Sequence, residues 1–116
     1  MRPIDRFYEE KEEPIKSCLM ALRDILQNFD IEITEEWKFK LPYFYYKGKM
    51  FCYIWIDKKT KNPYLGIANG YLINHPSLIA GNRSHVKILP IDMYKDIPID
   101  DIYEILNISK SFRDGV

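Results

Sequence analysis

The chain has no net charge: 17 lysines and arginines balance 17 aspartates and glutamates over 116 residues. A sequence-independent grip on nucleic acid depends on clustered basic side chains that release phosphate counterions, so that class is disfavoured. Cysteine is scarce as well. Cys18 and Cys52 are the only two, and neither sits in a C-x-x-C. Both fall on apolar patterns and read as small core groups rather than redox or metal ligands. Long hydrophobic runs are missing: the longest, Met50 to Ile56, is far short of the ~20 residues that span a bilayer. No charged, apolar and small-residue leader opens the sequence, which points to a cytoplasmic protein. Glycine spacings that cradle phosphate and a G-x-S-x-G elbow are absent too. No residue is put forward as catalytic, and no cofactor is called for.

What is present suits one globular domain over residues 1–116, with 47% apolar and 29% charged side chains and enough length for a single core. Pro3 to Glu10 reads as a short helical turn with Ile4, Phe7 and Tyr8 on its apolar edge. A longer helix is predicted from Glu13 to Phe29, with Pro14 at its first position, where a missing N–H costs nothing. Ile15, Cys18, Leu19, Leu22, Ile25, Leu26 and Phe29 recur along it at the three-and-four spacing of one buried stripe.

Trp37 to Leu41 alternates with period two and reads as a strand, ended or forced to an edge by Pro42. Lys47-Gly48-Lys49 is a turn and Met50 to Ile56 the next strand. Asp57 to Asn62 is a polar hairpin connection, Pro63 to Ala68 a third strand, and Val86 to Leu89 a fourth. Asn69 to Ser84 is turn-rich, with a short helix placed near Pro76 to Ile79. Asp100 is the N-cap candidate of a closing helix that carries Ile102, Ile105, Leu106 and Ser109 on one face. The expected class is α+β: an antiparallel sheet of about four strands, with an N-terminal amphipathic helix and a C-terminal helix packed on one face.

Trp37-Lys38, Pro42, the aromatic Phe44 and the Lys47-Gly48-Lys49 turn resemble the YdhG-like family of small bacterial domains, most of them of unknown function. The likeness extends to the amphipathic helix before these residues, to Tyr64-Leu65-Gly66, and to the strand and helix from Val86 to Ser109. It implies a curved antiparallel sheet with helices on one side and a relation to frataxin-like iron chaperones, a label some members carry.

Nine of the aromatic residues fall between Glu36 and Ile56. If Met50, Cys52, Ile54 and Ile56 meet the helix stripe, Phe51, Tyr53, Trp55 and Tyr64 are left on the opposite side. Exposed apolar patches mark binding surfaces, and Tyr and Trp suit wet ones because each has a polar handle. That face is therefore expected to take a small molecule or a second copy of the protein, through Trp37, Tyr43, Phe51, Tyr53, Trp55 and Tyr64. Lys38 or Lys49 would steer an anionic group. The competing expectation is that Tyr43 to Tyr46 or Tyr71 to Ile79 fold over and cover it.

The alternative that follows from the resemblance is weak iron binding by carboxylates, for which Glu9, Glu10, Glu12 and Glu13 are the candidates. Acids at a helix start are also favoured by the helix dipole alone. His75 and His85 have no metal-ligand spacing and read as loop residues. The lysines Lys38, Lys40, Lys47, Lys49, Lys58, Lys59 and Lys61 sit beside aromatics, as in single-strand nucleic-acid binders. At strand edges and hairpin tips they read better as guards against edge-to-edge association.

Overall fold

A computed structural model describes residues 1–115. The chain forms helix α1 (Pro3–Glu9), helix α2 (Ile15–Gln27), strands β1 (Ile33–Lys38), β2 (Leu41–Tyr46), β3 (Lys49–Ile56) and β4 (Pro63–Ile67), a one-turn 3-10 helix (Gly70–Leu72), strand β5 (Lys87–Pro90) and helix α3 (Ile99–Arg113). The five strands make one antiparallel meander in the order β1-β2-β3-β4-β5. The fold is α+β, with one strand more than the sequence reading counted.

The extra strand comes from a turn the alternating pattern conceals. Trp37 to Leu41 is not one strand: β1 stops at Lys38, and Phe39 and Lys40 reverse the chain with φ of 52° and 62°. Two consecutive positive φ values match the right-handed twist of a two-residue hairpin. Pro42 is thus inside β2, not beyond the sheet. Its partner on β1 is Trp37, and the β2–β3 register begins one residue later, at Tyr43, so no ladder bond on that side needs its absent N–H.

All three helices lie on one face. Cys18, Leu19, Leu22 and Leu26 of α2 are buried with Ile4, Phe7 and Tyr8 of α1 against Phe44, Tyr46, Cys52, Ile54, Leu65 and Ile67 of the sheet. Ile102, Ile105 and Leu106 close the core from α3. The start of α2 is capped by Glu13, whose carboxylate accepts the Ser17 backbone N–H at 2.7 Å and the Ser17 hydroxyl at 2.6 Å. These two bonds hold the Glu13 carboxyl below its ordinary range.

One charged cluster is built into this layer. The Arg23 guanidinium donates to both Glu35 oxygens, Nε at 2.8 Å and Nη2 at 2.6 Å, and Nη2 also reaches Asp5 at 3.0 Å. It lies 4.4 Å from the centre of the Tyr8 ring, and the Tyr8 hydroxyl donates to Glu35. Burial raises the Tyr8 phenol strongly. At the opposite end, Lys110 of α3 pairs with Asp30 at 2.8 Å and Tyr46 donates to Asp114 at 2.9 Å. No helix is long and apolar enough to cross a membrane among the described residues.

Candidate functional site

The face turned away from the helices carries a strip of tyrosines across β2, β3 and β4. Register places Tyr43 directly opposite Tyr53, and their rings stack with centroids 5.1 Å apart. Tyr64 is opposite Trp55 and so diagonal to Tyr53; these rings meet edge-on at 6.3 Å. At one end Phe39, 76% exposed on its turn, sets its ring 5.9 Å from Tyr43. At the other the Arg83 guanidinium stands 6.0 Å from the Tyr64 ring centre.

The strip is seated by Gly66. It pairs with Tyr53 across the ladder, and a Cβ at that position would collide with the Tyr53 ring. The glycine serves here through its missing side chain, which lets the phenol lie flat on β4. Burial, with the neighbouring phenols of Tyr64 and Tyr43, pushes the Tyr53 hydroxyl up to about 12. Burial raises Tyr43 in the same direction.

Beside Tyr53 the loop of Asn82, Arg83, Ser84, His85 and Val86 bounds a shallow depression of about 480 Å³. Ile79 holds this loop to the sheet by a reciprocal pair of 2.9 Å backbone hydrogen bonds with Ile88 on the outer edge of β5. Among the described residues Arg83 forms no ion pair; its side chain donates only to the Ala80 carbonyl, at 3.4 Å. Lys38 also forms none among the described residues and is exposed, alternating on β1 with the inward Trp37.

The structure divides the residues singled out from sequence. Tyr43, Tyr53 and Tyr64 come together on the far face, with Lys38 on the same side. Phe51 does not. A β-bulge between Phe44 and Tyr45 shifts the β2–β3 register, so Phe51 and Cys52 are both buried. The Phe51 ring stacks with Phe29 at 6.0 Å and lies 5.4 Å from Tyr46. The aliphatic set facing the helices is correspondingly shorter by Met50, which is only half-buried.

Trp37 and Trp55 both pack on Phe7 of α1, with ring centroids 6.1 Å and 6.4 Å away, and belong to the margin of the core. Lys49 is exposed beside the β2–β3 turn, remote from the Tyr43–Tyr53 pair along the hairpin. Neither segment expected to cover the far face borders this depression: Tyr43 to Tyr46 belongs to β2, and the segment beside Tyr53 is Asn82 to Val86, not Tyr71 to Ile79.

The four N-terminal glutamates are drawn into separate local partnerships. Glu9 pairs with Lys16 at 3.2 Å, Glu10 with Arg6 at 3.9 Å, Glu13 caps α2, and Glu12 is exposed. Cys18 and Cys52 are buried free thiols, both pushed up by burial, which leaves neither a reactive thiolate. His85 is drawn to Ser84 and to the Tyr71 ring, apart from His75. Neither a family model, nor a curated protein, nor a solved structure matches the chain.

Sequence reasoning missed Phe39 and Arg83. The alternating pattern places Phe39 in a strand, where its exposure on a turn is invisible. Arg83 sits in a loop whose Gly81-Asn82 dipeptide is a turn signal, and that signal marks a place where the chain can fold back without saying toward what.

Proposed function

We propose that this chain is a cytoplasmic YdhG-like binding module whose tyrosine strip takes a planar, aromatic small molecule bearing an anionic group. The observation that supports this reading is the Tyr43–Tyr53–Tyr64 array ending at an arginine in no ion pair among the described residues. Stacking on such rings contributes about 0.5–1.5 kcal/mol each beyond area burial. A guanidinium beside the depression can meet a carboxylate, sulfonate or phosphate in a two-pronged hydrogen bond. Lys38 adds long-range attraction on the same face.

The test uses the dye 1-anilinonaphthalene-8-sulfonate, whose flat naphthalene carries one sulfonate charge, titrated onto the folded protein by fluorescence. Saturable binding should weaken about tenfold in Arg83→Gln, the loss of one charge-assisted hydrogen bond. It should weaken similarly in Tyr53→Leu and stay unchanged in Lys49→Gln. Uncharged N-phenylnaphthylamine should be insensitive to Arg83→Gln. Equal dye affinity across all these variants would overturn the reading. Light scattering during the titration separates the other occupant: a dimer that dissociates as dye binds would assign the face to a second copy.

A further inference from the structure

The strongest feature outside the tyrosine strip lies on the helical side, where the loop after the 3-10 helix meets the first turns of α3. A nitrogen of His75 and one oxygen each of Asp101 and Glu104 lie within 4.8 Å of one another. Asp101 and Glu104 are three residues apart on α3 and therefore project from one helix face. The His75 side chain is only 9% exposed, while that of Glu104 is 63% exposed. The cluster thus has a fixed, nearly buried nitrogen on one side and an open side to water.

We infer that His75, Asp101 and Glu104 form a binding site for one divalent transition-metal cation, Zn²⁺ by the chemistry of the donors. One imidazole and two carboxylates are hard-to-borderline ligands that suit zinc, and three protein ligands with a position left for water is a familiar open zinc geometry. Two ligands about 2.1 Å from one tetrahedral ion stand about 3.4 Å apart. The His75 Nε2–Glu104 Oε2 separation, 2.9 Å, is already close to that, and an Asp101 carboxylate oxygen lies within 4.8 Å of the other two ligand atoms.

The hydrogen bonds around the cluster say what binding must displace. The Ser77 backbone N–H donates to His75 Nδ1 at 3.1 Å, so the ring carries its proton on Nε2, facing Glu104. The Ser77 hydroxyl donates to Asp101 at 2.9 Å. A cation bound at Nε2 takes the lone pair there, and the ring proton moves to Nδ1 with no net proton lost. The Ser77 N–H contact then breaks and the His75–Pro76–Ser77 turn shifts. Metal-ligating histidines ordinarily donate from their second nitrogen to an acceptor; here that nitrogen meets a donor. The site therefore binds reversibly, and its occupancy is coupled to the position of the loop.

Calorimetry with Zn²⁺ on the intact protein should show one saturable site per chain. Asp101→Asn and Glu104→Gln, both solvent-accessible isosteric changes, should each weaken it about tenfold or more while circular dichroism stays unchanged. Ser77→Ala, which cuts the loop tether but leaves all three ligands, should retain the site. Replacing Glu9, Glu10, Glu12 and Glu13 together by Gln should leave it intact. Nitrogen-15 spectra of His75 should show the ring proton passing from Nε2 to Nδ1 on zinc addition. No saturable heat, equal heats in Asp101→Asn and Glu104→Gln, loss in Ser77→Ala or in the glutamate variant, or a retained Nε2–H would each overturn the inference and leave the cluster as a loop-to-helix tether.

Discussion

Replacing Gly66 with alanine adds one methyl group where the Tyr53 ring lies against β4. In an ordinary strand that change stabilises by about 0.5–1 kcal/mol, because alanine has less backbone freedom to lose on folding. Here the sign should reverse. The new Cβ falls inside the space of the phenol ring, so either the strands part or the ring swings off the sheet. Overpacking of this kind costs about 1–3 kcal/mol. A displaced ring also forfeits its stacking on Tyr43, 5.1 Å away, a further 0.5–1.5 kcal/mol or so. Set against the backbone gain, the net loss is about 1–3 kcal/mol. For a domain of this size that lowers Tm by about 4 °C per kcal/mol, hence about 4–12 °C. Urea and thermal unfolding measure it, and a double-mutant cycle assigns the cause. In a Tyr53→Ala background the second change, Gly66→Ala, should be neutral or stabilising, with a coupling energy of about 2 kcal/mol. A stabilised Gly66→Ala protein, or a cycle with no coupling, would mean that the ring does not rest on this glycine and that the strip is not assembled as described.

Alkaline pH should loosen the same site. The Tyr53 phenol titrates near 12 in the folded protein and near 10 when unfolded, so its contribution is whole below pH 10 and is lost as pH rises toward 12. Two pH units correspond to about 2.7 kcal/mol at most, and because the ring is half-buried and screened by water, about 1 kcal/mol is expected. Urea midpoints measured from pH 9 to 12 should fall less steeply in Tyr53→Phe than in the unsubstituted protein; parallel curves would refute the assignment. At the first hairpin, Lys40 holds φ at 62°, a conformation that glycine adopts freely. Lys40→Gly should raise stability by about 0.5–1 kcal/mol net of glycine's greater unfolded-state freedom, seen as a higher urea midpoint; no rise would mean that the lysine is not strained there.

The helical layer was legible because its signal is local. Cys18, Leu19, Leu22 and Leu26 recur at helical spacing, and all are buried. The sheet was legible in kind and not in register. Nothing within Met50 to Ile56 marks a bulge; the extra residue exists only in the pairing of β3 with β2, a relation between segments, and it turns Phe51 from the far face to the core. The Phe39–Lys40 turn was concealed for the opposite reason. Hairpin turns of this kind usually advertise themselves with Asn or Gly, and here a Trp-Lys-Phe-Lys-Leu alternation runs straight through the reversal. Arg83 reached the strip through the long loop from Asn69 to Val86, where local pattern carries no direction.

These corrections change the argument about surplus apolar surface without removing it. The bulge consumes Phe51, and Phe7 of α1 consumes much of Trp37 and Trp55. Of the bulky groups predicted for the far face, Tyr43, Tyr53 and Tyr64 form the strip, each with a hydroxyl that tolerates water, and Trp55, opposite Tyr64, is drawn toward Phe7 at its margin. A face meant for a permanent dimer would be more apolar, resembling a domain core cut in half. A face of half-buried phenols loses little by being wet, and under the proposed function would still offer flat rings to an incoming molecule. That balance would suit the intermittent occupancy the proposed function requires. Under the proposed function Arg83 would matter more than its distance from the strip's centre suggests: phenols stack on many partners, and the charge at one end would select among them.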